Sequence, residues 1–415
     1  MIELGKRVLL LLARYLMLIG LLANAALVAF LLYWLTGKVS DSESYREVRR
    51  SLLGAADGIE LTQVEAVASG RVNPQLSSLP AGVWLKIHQQ SGDGPEDFER
   101  QAHGGAAFDP ARGRVVLFGS DTHRINWDNS VRFFDMGTLS WSSAYPPDDP
   151  ASYRVNDAGI PVAGVAGDRP WAMHTFDAVE FDPVGDRLIV ASHPKHMSPE
   201  KSWGMAQGLW NEISSHPTWA FVVADNRWEP LVTEGLSFFP YGATFDPQRR
   251  LFVGVRSGGF WALDMDQLQW RRVAKEAPRV WHNTSAFDLE HGIVVSFGSN
   301  DRSNDVWQYR VGEDSARLMP TPGVRPPGAD SAPLVYHPGI KKIVALVENK
   351  RGNAGEVTET WLYSTRGDAW EPLETASIPF AVGMNYDMVY DPNHGLLVLV
   401  ANLPKEPTAV WVLRL

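Results

Sequence analysis

One phrase, written six times, constrains this chain more than any other feature of it. Its first segment, strand A, ends in an aromatic residue followed by Asp-Pro: AAFDP at 106–110, VEFDP at 179–183 and ATFDP at 243–247. Looser copies are SAFDL at 285–289, LVYHP at 334–338 and MVYDP at 388–392. A short turn then leads to an apolar strand B: RVVLFGS, RLIVASH, LFVGVRS, IVVSFGS, KIVALVE and LLVLVAN. Strand C carries Phe133, Trp219, Trp261, Trp307, Trp361 or Trp411, and strand D carries Trp141, Trp228, Trp270 or Trp370, with Arg317 at about that place in the fourth copy. Alternation with a period of two predicts a four-stranded antiparallel meander for each phrase. Proline cannot continue a ladder, and aspartate caps the turn through its own side chain, so Asp-Pro closes strand A. A sheet this small cannot bury both faces alone, and radial packing of blades solves that problem.

The sixth copy stops at Leu415 directly after strand C. Ahead of the first strand A stands an orphan segment, GVWLKIHQQ at 82–90, with Trp84 where a strand D tryptophan belongs. The expectation is that this segment completes the last sheet and closes a ring without an open edge. The fold class is therefore all-β: a six-bladed β-propeller over residues 82–415.

Residues 15–35 read YLMLIGLLANAALVAFLLYWL, an uncharged stretch long enough to cross a hydrocarbon core of roughly 30 Å. Lys6, Arg7 and Arg14 precede it, and only Lys38 follows closely. The positive-inside rule places residues 1–14 in the cytoplasm and the rest beyond the membrane, periplasmic or otherwise extracytoplasmic. A cleaved signal peptide would carry a shorter apolar region, with its small-residue site after that region and not inside it. Residues 36–81 are expected as a stalk, containing a short helix and a Pro- and Ser-bearing connector.

The segments GRVVLFGSDTHRINWDNSVRFFDMGTLSW (113–141) and VVSFGSNDRSNDVWQYR (294–310) resemble Kelch repeats. That family ends strand B in a glycine pair and continues Asn-Asp-Val-Trp-x-Tyr. Here the pair is Gly119-Ser120 and Gly298-Ser299, and elsewhere Ala191-Ser192 or Val255-Arg256, so the resemblance is to a divergent member. Galactose-oxidase-like enzymes share the fold family, but their copper–radical site needs a cysteine, and this chain has none. The absence of cysteine equally removes disulfides, thiolate metal sites and a cysteine nucleophile. Net charge is −10. Without residues 1–38 it is about −13, which gives no attraction for a phosphate backbone and argues against nucleic acid.

In such a ring the B–C and D–A loops share one face, the top. Ten tryptophans fall on strands C and D and read as packing. Trp127, Trp171, Trp203, Trp210 and Trp281 fall in top loops, as do seven of eleven histidines, and the long loops 146–175 and 192–217 are top loops too. The candidate ligand-binding face comprises His103, His123, Trp127, Asp128, His174, Trp203, Trp210, Arg256, Trp281, His282, Asn300, Arg302 and Asn385. His103, His174 and His282 each precede a strand A. They either meet at a channel mouth, to hold a metal or anion or to act as acid and base, or serve as unrelated caps. His193-Pro-Lys-His196 has ligand-like spacing on an irregular loop, and Asn283-Thr284-Ser285 fits a glycosylation sequon. Asp121, Arg124, Asp128, Asp301 and Arg302 read first as charges paired with one another. No nucleophile elbow, phosphate loop or dinucleotide fingerprint is present.

Two functions follow as expectations. One is a membrane-anchored binding or scaffold propeller that presents aromatic platforms to a glycan or a protein, since the apolar face of a pyranose stacks on indole. The other is a carbohydrate-active lyase or epimerase, a class for which Kelch-like sialic-acid epimerases are a precedent, with His174, His282, Tyr241, Arg256 and Arg302 as candidates. The anchor is testable directly. A reporter fused at Leu415 is expected to be active only outside the cytoplasm, with detergent needed for extraction. Release of a soluble form beginning near Ala26 or Lys38 would contradict an uncleaved anchor.

Overall fold

The computed structural model describes residues 61–94, 97–98, 103–120, 127–192, 208–232, 242–256, 259–278, 281–350, 356–382, 388–401 and 407–415. The expected membrane span at 15–35 lies outside these. No helix among the described residues is long and apolar enough to cross a membrane.

The described chain is almost entirely β, with one short α-helix, Leu209–Glu212, and two 3-10 turns. It forms seven antiparallel sheets where the repeat predicts six. Six are four-stranded, one per phrase, each running A-B-C-D in order. Their A strands are Gly105–Asp109, Val179–Asp182, Gly242–Asp246, Thr284–Asp288, Leu334–His337 and Met388–Asp391. The seventh sheet is the correction. It has three short strands, Arg154–Val155, Pro161–Ala163 and Arg169–Pro170, inside the long loop between the first two repeats. The loop carries no period-two pattern long enough to announce these strands.

The A strands contact one another in the cyclic order first to sixth and back to first. They also line a shared central cavity, an arrangement consistent with a propeller. The orphan segment behaves as expected: Trp84–Gln89 pairs antiparallel with Ala409–Arg414, completing the sixth sheet. Trp84 is 6% exposed, and its indole N–H donates to Thr360 Oγ1 at 2.9 Å, pinning the closing strand to the fifth sheet.

Why Asp ends strand A is visible at the opposite face. Asp109, Asp182, Asp246, Asp288 and Asp391 are all fully buried. In each, one carboxylate oxygen accepts backbone N–H groups of the turn, as Asp246 Oδ1 does from Gln248 and Arg249 at 2.9 and 3.1 Å. A base compensates the second oxygen: Arg112 for Asp109, Arg249 for Asp246, His291 for Asp288 and His394 for Asp391. A buried carboxylate without such partners would be strongly destabilising, so the turn and its base form one unit. Some of these ions also join repeats. Arg112 chelates Asp186 of the second sheet at 2.6 and 2.7 Å, holding that carboxyl below its ordinary range. Burial works against ionised Asp182, but Arg250 of the third sheet, at 2.7 Å, together with the Gly185 N–H and Arg187, outweighs it and keeps its pKa low. In the fifth copy His337 replaces the aspartate, and its Nδ1 stands 3.4 Å from the N–H of Ile340, a weak version of the same contact. The turn's last residue has positive φ in all six copies: Gly113, Asp186, Arg250, Gly292, Lys341 and Gly395.

Residues 61–81, expected as the end of a stalk, belong to the compact unit that runs from Leu61 to Leu415. Leu76 is fully buried in the core shared by the first and sixth sheets. Asn73 is buried as well: its backbone N–H donates to His394 Nε2 at 2.9 Å, and its side chain donates to Gly137 O at 3.2 Å. Because Asn73 is a donor, the neutral His394 ring carries its proton on Nδ1, toward Asp391.

Deleting residues 82–90 strips strand D from the sixth sheet and exposes strand Ala409–Arg414. Loss of the folded domain or aggregation is the expected result in a thermal melt, and an unchanged transition would contradict closure by this strand.

Candidate functional site

The three histidines that precede A strands converge at the top end of the ring. The rings of His103 and His174 stack at 4.3 Å with a 20° interplanar angle. Both meet the edge or face of Phe176, at 5.1 and 5.8 Å, and His282 stacks against the same Phe176 at 6.5 Å. Phe176 is thus the hub, and nothing in the residue pattern marks it beyond its place two residues after His174.

The backbone explains this convergence and corrects the expected equivalence of the three. His103 and His282 occupy matching places, each with positive φ (73° and 62°) and each two residues before its strand A. The carbonyl of His103 accepts from Thr175 N at 2.8 Å, and that of His282 from Ser331 N at 2.9 Å. One residue before those donors stand His174 and Asp330. So His174 matches Asp330, not the other histidines. The two Gly-Ser pairs serve the same frame. Ser120 N donates to Met173 O at 3.1 Å, and Ser299 N to Ala329 O at 2.9 Å. A Cβ on Gly119 (φ 111°) would lie 2.2 Å from Thr175 Oγ1, and one on Gly298 (φ 78°) would lie 2.8 Å from Ala329 O. Glycine is required there because the incoming segment approaches too closely for any side chain.

One frame therefore holds two different pairs. In the first, imidazole lies on imidazole. In the second, His282 Nδ1 is 2.6 Å from Asp330 Oδ1, which also accepts from Ser331 Oγ at 3.1 Å. A carboxylate accepts only, so neutral His282 holds its proton on Nδ1 and Nε2 is the basic nitrogen. Beside it Trp281 is 59% exposed, a large value for an indole. Its backbone is clamped from both sides by Asn300, whose Oδ1 accepts from Trp281 N at 3.1 Å and whose N donates to Trp281 O at 2.7 Å. Arg302 is exposed and faces Glu348 at 3.6 Å, and both line a small cleft with Asp330 and Ser331. Asp330 and Glu348 escaped sequence reasoning, the former in a Gly/Pro-rich segment and the latter at the end of an apolar strand.

Other candidates are elsewhere or otherwise engaged. Trp127 (3% exposed) and Trp171 (fully buried) form a separate small core with Tyr153, Leu209 and Ile213, against which Trp210 packs half-buried. Trp171 Nε1 donates to Val162 O at 2.9 Å, and Tyr153 Oη to Trp127 O at 2.9 Å. Burial pushes the Tyr153 phenol far up, so it remains a neutral donor. Trp127 and Trp171 are thus packed inside this small core beside the seventh sheet and do not present an open face. Asp128 accepts from Ser130 N at 2.8 Å and pairs with Arg132 at 2.8 Å, capping a turn. Arg256 is exposed at the end of strand B of the third sheet. Asn283 is 3% exposed, with Oδ1 near Ser296 Oγ, so its sequon is closed in the folded protein. His123, Trp203 and Asn385, together with Asp121, Arg124, His193, His196 and Tyr241, lie outside the described residues. Among the described residues no group of His, Asp and Glu has the geometry of a metal centre.

No protein-family model matches the chain, and no curated protein is significantly similar to it.

Core and platform tryptophans are distinguishable by stability. Trp127→Ala is expected to cost about 3–5 kcal/mol in chemical denaturation, through loss of a buried aromatic. Trp281→Ala is expected to cost under about 1 kcal/mol, as for an exposed side chain.

Proposed function

We propose that this chain is a divergent Kelch-like, six-bladed propeller tethered to a membrane by residues 15–35, and that its top face binds a glycan. The three-stranded sheet is then an insertion on that face and not a blade. The observation that carries the reading is Trp281, an exposed indole whose backbone is held by Asn300, beside the His282–Asp330 pair and the cluster around Phe176. An exposed indole on a fixed backbone offers the apolar face of a sugar ring a stacking surface. Imidazole, carboxylate and guanidinium groups next to it supply the donors and acceptors that hydroxyls need. No metal is invoked.

A second reading rests on His282–Asp330 itself. A carboxylate that fixes an imidazole tautomer leaves Nε2 as the basic nitrogen, as a general base requires, and Arg302 lines a cleft with Asp330, where it can stabilise charge on a substrate. Proton abstraction from a sugar carbon, as in a lyase or epimerase, is the matching chemistry.

One set of variants tests both. Binding to immobilised glycans is expected to fall about tenfold or more in Trp281→Ala, with the thermal transition preserved. Capture of a protein but of no glycan by the intact top face would contradict the glycan reading. Deuterium incorporation at one sugar carbon in heavy water, lost in His282→Ala and Asp330→Asn, is the result expected of the enzyme. Glycan binding without such exchange would leave the binding module alone standing.

A further inference from the structure

Five of the six turns that follow strand A hold a buried carboxylate matched by a base. The fifth is the exception. His337 stands there, 3% exposed, with Nδ1 3.4 Å from the N–H of Ile340. Its Nε2 is buried without a hydrogen-bond partner among the described residues. The imidazole meets Tyr390 of the sixth strand A, with ring centroids 4.9 Å apart and planes at 64°. The fifth and sixth A strands touch one another, so this contact lies in the joint between their sheets.

The charged groups of the turn are engaged away from the imidazole. Lys341 pairs with Glu290 of the fourth repeat at 2.8 Å, and Lys342 pairs with Glu371. On the sixth repeat the titratable group that meets the imidazole is the Tyr390 phenol. Burial, and next Asp391, push that phenol up, so it stays neutral. Burial likewise lowers the pKa of His337, and its own backbone carbonyl opposes this only in part. A neutral imidazole fits the site, but an imidazolium does not. With both nitrogens protonated, Nδ1 becomes a donor facing the Ile340 N–H, and the Nε2 proton is buried with no acceptor. A buried charge without a partner is strongly destabilising. The opened chain takes up a proton near the ordinary histidine value of about 6.5, and the closed joint resists it. Stability is therefore present above that pH. Below it, the opening equilibrium rises by up to about tenfold per pH unit, until the lower pKa of the closed joint is reached.

We propose that His337 makes the joint between the fifth and sixth sheets an acid-triggered release point, which parts ahead of the other joints between A strands. The device is independent of the glycan and enzyme readings of the top face.

The test is hydrogen exchange on the full chain in detergent at about pH 7.5 and about pH 5.5, either side of the ordinary histidine range, corrected for the intrinsic pH dependence of exchange. Protection of Leu334–His337 and Met388–Asp391 is expected to fall about tenfold in acid, while that of Val179–Asp182 and Gly242–Asp246 holds. His337→Asn keeps an acceptor for the turn and takes up no proton, so the acid loss should vanish in it. His88, in the closing strand Trp84–Gln89, is also lowered by burial, with Asp97 opposing. Acid loss that begins in that strand would overturn the proposal. So would a uniform loss over all six sheets, no loss at all, or a loss in His337→Asn equal to that of the native chain. If His337→Asn does not fold, His337→Gln takes its place, and the location of the loss in the native chain decides on its own.

Discussion

The pairing of Trp84–Gln89 with Ala409–Arg414 is the contact on which everything else depends. Five repeats are continuous in sequence, but the sixth is built from both ends of the repeat region, so the ring of A strands closes only when those ends meet. Loop closure across more than three hundred residues costs entropy that grows only slowly with length. A full ladder, the Trp84–Thr360 bond and the anchorage of Asn73 and Leu76 across the first and sixth sheets offset it. The seam is therefore reinforced from three directions, and the segment leading into the closing strand is part of the fold.

A second constraint is electrostatic. Five buried carboxylates at one end of the ring are tolerable only because backbone donors and a nearby base surround each one. The fifth repeat shows how far that chemistry can be altered. With His337 in place of aspartate, the turn keeps its shape on one weaker contact, and burial holds this histidine's pKa low, so a neutral ring does an anion's work. Charge at these turns is one solution to capping and is not a requirement of the backbone.

The strands were legible because periodicity and turn chemistry report local geometry. Trp84 stood where a missing strand D residue belonged, and ten C and D tryptophans lie buried or half-buried in the sheets. The top face was legible only in part. Trp127 and Trp281 have the same chemistry and both sit in loops, yet one is 3% and the other 59% exposed, because burial in a loop depends on distant segments. Trp127 meets Tyr153, Trp171 and Leu209, none of which any spacing rule links to it. Histidine spacing picked out three residues that converge but misassigned their relation. The matching of His174 with Asp330 resides in backbone hydrogen bonds, and unlike side chains conceal it.

That matching makes the top of the ring a pair of interchangeable mounts. His103 and His282 sit on the same left-handed backbone step, each facing a position fixed by the same carbonyl and serine contacts. Because the mounts are built from main chain and glycine, the side chains at 174 and 330 take no part in these backbone contacts. The same backbone frame therefore carries an aromatic stack in one half of the mouth and a hydrogen-bonded dyad in the other. The scaffold separates the groups that set shape from those that set chemistry, and a repeat can keep its frame while its side-chain chemistry differs.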